Sequence, residues 1–165
     1  MSGDEQVAIR QMLEAHNTLT LATCTDGKPW AASLFFASDA DLNLYFVSDY
    51  RTRHARDLAA GSDAVVTVDA DCGRWTDVKG LQIEGQVDVL EGAARLRGLK
   101  HYLRKFADVR ALFEMPKSQD EETIAQHLKA ANLYCLKPRW IRLIDNSRRF
   151  GYKIEVELPD DPREK

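Results

Sequence analysis

The chain has 165 residues, 44% of them hydrophobic and 30% charged, with a net charge of −3. That is apolar material for one core and one domain over residues 1–165, and an acidic balance that argues against a non-specific nucleic-acid binder. No apolar run approaches a membrane-spanning length, and the opening MSGDEQVAIR lacks the apolar stretch of a signal peptide, so the expectation is a cytoplasmic protein with no nucleic-acid and no membrane partner.

Ser2 and Glu5 have the spacing of a capping box, which predicts a helix over about residues 4–16 with Ile9, Met12, Leu13 and His16 on one face. TLTLATCT, residues 18–25, reads as a strand, and Asp26-Gly27 is a hairpin signal. The return strand over 30–37 places Trp30, Ala32, Leu34 and Phe36 on one side and Ala31, Ser33, Phe35 and Ala37 on the other. A strand over 42–47 runs through the turn Ser48-Asp49-Tyr50-Arg51 into a short helix, opened by Thr52 and closed by Gly61 at C′. AVVTVDA, residues 64–70, is apolar on both faces, the mark of a central strand.

WTDVKGLQIEGQVDVL continues from residue 75. Leu81, Ile83, Val87 and Val89 line one face, and Gly80, Gln82, Glu84, Gln86 and Asp88 the other. Gly80 and Gly85 inside a strand mean a bulge, a bend or the close approach of a ligand. A helical insertion follows over about 91–130. Its first helix carries the stripe Leu96, Leu99, Leu103 and Phe106 beneath a solvated basic face. Its second covers 108–114, and its third covers 121–130 with Ile124 and Leu128 inward. Strands over 132–136, 140–144 and 150–158 finish the chain. About seven short strands, mostly in hairpins, predict a mainly β fold with added helices, an antiparallel Greek-key barrel.

Cys24, Cys72 and Cys135 are widely spaced and form no CxxC pair, as reduced thiols do. His16, His54, His101 and His127 show no metal spacing, so no metal is expected. The chemistry concentrates at YFVSDYRTRHARDLAAG, residues 45–61. A helix N-terminus has unpaired N–H groups and about half a positive charge. Arg53, His54, Arg56 and the Thr52 hydroxyl crowd that first turn, so a phosphate group is the natural guest. The alternative is a surface helix whose arginines are solvated or pair with Asp49, Asp57 and Asp63.

TLATCTDGKPWAASLFF, LYFVSDYRTRHARDL and WTDVKGLQIEG, in that order and spacing, resemble the flavin-binding split-barrel family, of which pyridoxamine 5′-phosphate oxidase is the best-known member. The closing IDNSRRFGYK is similar to a small bacterial branch of it, and the resemblance covers roughly residues 14–155. It implies a homodimer of split β-barrels with FMN at the subunit interface. It implies that Ser33, Leu34 and Phe35 run along the isoalloxazine ring. Thr52, Arg53 and His54, preceded by Val47 and Ser48, match the segment that binds the FMN phosphate, with His54 in place of the family's lysine. Lys79 and Gln82 match the strand at the flavin's polar edge, with ordinary solvent-facing strand residues as the alternative.

The expected function is that of an FMN-dependent oxidoreductase acting on a small-molecule substrate. No acid–base residue stands out. The family's Arg-x-Val-Leu-Leu motif is here Ala32-Ser33-Leu34-Phe35-Phe36, and the arginine-rich ending of the pyridoxamine-phosphate oxidases is missing, which argues against vitamin B6 oxidation. The alternatives are a deazaflavin (F420) reductase, and a non-catalytic flavin or haem protein with His54 or His101 as axial ligand. A nucleic-acid binder using the basic helix over 91–106 ranks below these.

Overall fold

The computed structural model describes residues 2–159, and among these are five α-helices and seven strands. The first helix, α1 (Gly3–Ala15), starts on the expected capping box: the Glu5 N–H donates to the Ser2 hydroxyl, and the Ser2 N–H to the Glu5 carboxylate. It buries Ala8, Ile9, Met12 and Leu13. The strands are β1 (Thr18–Thr25), β2 (Lys28–Ser38), β3 (Leu44–Ser48), β4 (Asp63–Asp69), β5 (Lys79–Val89), β6 (Asn132–Asp145) and β7 (Lys153–Glu157). Their order is β3-β2-β1-β4-β5-β6-β7, all antiparallel, and β3 also pairs with β6. Six strands therefore close a barrel, and β7 extends it beside the second half of β6.

Asp26 and Gly27 join β1 to β2 at φ 52° and 70°, the left-handed pair that a tight hairpin requires. After the meander of the first three strands, helix α2 (Arg53–Ala60) carries the chain across to place β4 beside β1. That is the Greek-key crossing. The two-residue alternation sends Leu19, Leu21, Phe36, Leu44, Phe46, Val66, Leu81, Ile83, Ile141 and Leu143 into one core.

Several expectations change. The two strands predicted over 132–144 are a single β6 of 14 residues. Gly85 pairs with Pro138 and Glu84 with Trp140, so Arg139 is an extra residue in a bulge, where a proline without an N–H is tolerated. Gly85 serves this bulge, not a ligand: a Cβ there would fall on the Lys137 carbonyl. Strand β4 is central but buries one face only, leaving Val65 41% exposed. Val89 and Ile124 lie outside, and Ala125 faces inward instead. Leu42 takes φ 67° in the turn, so β3 begins at Leu44. Gly151, at φ 70°, keeps the chain turning, so β7 begins at Lys153 and Phe150 lies exposed against Trp75. Gly61 ends α2 with extended backbone rather than in the left-handed C′ position.

Helices α3 (Gly92–Lys105), α4 (Ala107–Glu114) and α5 (Gln119–Ala130) form the insertion. Helix α3 buries Gly98 and Tyr102 while Leu96 stays outside, so its inward stripe is rotated from the expected one. Nor is its basic face wholly solvated. The Lys105 ammonium donates to the Leu13 and His16 carbonyls at the end of α1 and sits 4.2 Å from the centre of the Phe36 ring. Burial draws its pKa down to about 8.

Candidate functional site

The turn before α2 is built from its own side chains. The Thr52 hydroxyl donates to the Asp49 carbonyl at 2.8 Å and accepts from the Ala55 N–H at 3.4 Å, which fixes the N-cap. The N–H groups of Arg53 and His54 belong to the first turn, where a helix supplies no acceptor. Arg51 is tied to Asp49 at 2.7 Å, and Arg56 donates to the Arg51 carbonyl. Arg53 takes another course: its guanidinium lies over the Trp30 ring, 4.7 Å from the centroid, and 3.9 Å from the Asp57 carboxylate. Its contacts with the Lys28 and Pro29 carbonyls are long, 3.4 and 3.5 Å. Asp57 is buried and accepts a 2.8 Å bond from Thr23. Arg53 therefore retains donor capacity for an anion.

His54 is placed differently from expectation. Its ring turns inward and is buried, with Nε2 2.6 Å from the Ser48 hydroxyl and 3.0 Å from that of Thr52. Burial pushes its pKa below the usual value, so it is neutral near pH 7 and adds no charge to the turn. Ser48, Thr52 and His54 thus form one polar knot beneath the helix terminus, with Arg53 on the outside.

The outer face of the barrel collects a second set. Ser33 pairs with Thr20, Thr20 with Thr67, Thr67 with Gln82, Gln82 with Arg142, and Arg142 with Glu155. These residues form one row across six strands. Phe35 shares the Ser33 face, 56% exposed, with Phe106 edge-on at 5.3 Å. Thr20, Thr67 and Arg142 escaped the sequence reading, because only strand order and register line them up with Ser33 and Gln82.

Three other candidates stand apart. Leu34 points into the barrel and packs on its core. Val47 packs against the cluster of Ala37, Tyr102 and Phe106 and against that of Tyr45, Leu133 and Cys135. Lys79 lies on the inward side at the start of β5, its ammonium 3.4 Å from the buried Asp145 carboxylate. Among the described residues no three His, Cys, Asp or Glu side chains are grouped to hold a metal ion, and no helix is long and apolar enough to cross a membrane.

The pattern of the pyridoxamine 5′-phosphate oxidase family matches residues 6–143. The chain belongs to that family. Among curated relatives it is similar to the UPF0306 protein YhbP of Salmonella schwarzengrund, 32% identical over 152 residues, 92% of each chain. With the YhbP protein of Salmonella arizonae it shares 31% identity over 110 residues, 66% of this chain and 75% of the other. Among solved structures, it superposes on a haem-binding protein from Mycobacterium smegmatis with a TM-score of 0.68 at 17% identity, covering 95% of this chain and 58% of that one. It also superposes on HutZ, the haem storage protein from Vibrio cholerae, with a TM-score of 0.62 at 18% identity, covering 80% and 88%. At such identities the likeness is one of fold. The split barrel is thus shared with these solved structures, and the chemistry of this family member rests on its own side chains.

Proposed function

We propose that the chain is an FMN-binding flavoprotein that works as a homodimer, with oxidoreductase chemistry on a small molecule. The observation that carries this reading is the relation of Arg53 to the outer row. Arg53 rests against residues 28–30 of β2, and Ser33 follows three residues later on the same strand. At the rise of a strand that is about 10 Å, the reach of a ribityl phosphate arm.

The residues fit the group at both ends. At one end stand the first-turn N–H groups of α2, the helix dipole and the lightly engaged Arg53 guanidinium, which suit a phosphate. At the other, hydroxyls and an amide on the outer row suit the polar edge of a ring. Bound FMN would supply hydride and electron transfer. The chain's part is to bind and orient it: Arg53 holds the phosphate, the knot of Ser48, Thr52 and His54 keeps the turn in shape, and Ser33 and Gln82 address the ring. A second copy laid over the outer face would exclude water. The exposed Phe35 and Val65 on that face, at 56% and 41%, support that covering.

Haem is the second reading, because structural neighbours are described as binding or storing it. The histidines favour it less: His54 spends Nε2 on two hydroxyls, and His101 lies flat on Tyr45, with ring centres 5.4 Å apart. A deazaflavin with its longer acidic tail would want cations beyond Arg53. Titrating the purified apoprotein with FMN, riboflavin and haemin, followed by absorbance, tests the choice. Saturable uptake of FMN, weaker uptake of riboflavin and no haem band are expected. A stoichiometric haem band with no flavin uptake would overturn the proposal.

A further inference from the structure

Gln82 stands in the outer row with its amide Oε1 3.1 Å from Nη1 of Arg142. A guanidinium has five donors and no acceptor, so the carbonyl end of the amide must face it. Arg142 is itself held. Its Nε donates to Glu155 at 2.9 Å, its guanidinium lies 4.9 Å from the centre of the Trp140 ring, and its side chain is 34% exposed. Glu155 also pairs with Lys153 at 3.2 Å, which keeps the carboxylate ionised and the arginine in place. Gln82 Nε2 therefore points away from Arg142, and among the described residues nothing accepts from it.

We propose that Arg142 is a positioning residue that sets the polarity of Gln82, so that the outer row offers a ligand N–H donors and selects a ring edge carrying carbonyl or imine acceptors. The pyrimidine side of a flavin is such an edge, and the inference rests on the flavin reading. Glu155, Arg142 and Gln82 form a relay in which each group has one remaining orientation. An amide free to turn could accept from a ring N–H as readily as donate to a carbonyl. With its oxygen committed to a cation, it can only donate.

The test uses the full chain, with FMN and riboflavin as probes. In Gln82→Glu the carboxylate still pairs with Arg142, so the thermal midpoint should hold, but position 82 now presents acceptors only. Affinity for FMN and riboflavin should fall at least tenfold and by the same factor, further than in Gln82→Ala. Arg142→Met keeps an apolar stem on Trp140 and frees the amide to turn. It should weaken both flavins severalfold, and Arg142→Lys should restore part of the loss. The absorption maxima of bound FMN should also move between wild type and Gln82→Glu, which a purely structural role would not produce. Wild type that binds both flavins, beside a Gln82→Glu variant that binds them equally well, would overturn this inference and leave the flavin reading standing. Wild type that takes up neither flavin would remove both.

Discussion

Of the arginines at 51, 53 and 56, Arg53 is the one turned toward β2 with only long contacts to its guanidinium. A hydrogen bond to a charged group is worth about 1.5–3 kcal/mol. Arg53→Ala should therefore weaken FMN roughly ten- to a hundredfold and riboflavin far less, as calorimetric titration would read. Equal losses for both ligands would mean that Arg53 does not hold the phosphate. His54 makes the opposite kind of contribution. Its folded pKa lies below the ordinary 6.5, so the unfolded chain binds the proton more readily just below that pH. The stability it contributes is complete above the ordinary value and is lost as pH falls through the depressed one. Thermal midpoints from about pH 8 down to about pH 5 should fall more for wild type than for His54→Gln. A parallel decline in the two proteins would show that the knot does not depend on a neutral imidazole.

The helical insertion is locked to the N-terminal helix at one point. Lys105, in the last turn of α3, takes the Leu13 and His16 carbonyls at the end of α1. A cation there meets the negative pole of the α1 dipole and supplies donors that the helix lacks. Lys105→Met keeps the apolar stem over Phe36 and removes those donors, so it should lower stability by about 1–3 kcal/mol in denaturant unfolding. Arg97→Met, on the exposed side of the same helix, should change it by less than about 0.5 kcal/mol. If the two variants unfold alike, the bond between α3 and α1 contributes nothing net.

At the scale of the molecule, the outer face of the barrel is the surface that assembly would cover. It carries a row of uncovered polar groups, with aromatic and branched side chains around it. A homodimer is the expected state, and sedimentation at micromolar concentration should find it. A monomer that still retained FMN would contradict the dimeric site. Where the family motif has an arginine, this chain has Ala32, and no cation replaces it along the rest of that stretch to Phe36. Turnover of pyridoxamine phosphate should accordingly stay well below about 1 per second, a rate at the low end for enzymes. A rate above that would restore vitamin B6 oxidation as the reaction.

Sequence alone determined the signals that act over a few residues. The capping box at Ser2 and Glu5, the Asp26-Gly27 hairpin, the strand alternation and the helix start at Thr52 all rest on local geometry that neighbouring residues dictate. From those signals the barrel and the helix start at Thr52 were legible. Tertiary structure decided everything that depends on what lies across a strand or beneath a helix. The burial of His54 against Ser48, the capping of α1 by Lys105 and the joining of two predicted strands at the Arg139 bulge leave no local trace. Neither does the alignment of Ser33, Thr20, Thr67, Gln82 and Arg142. Residues 33 and 142 share a row only because four antiparallel pairings fix their register, and a slip of one residue in any pairing would turn that strand's side chains to the other face.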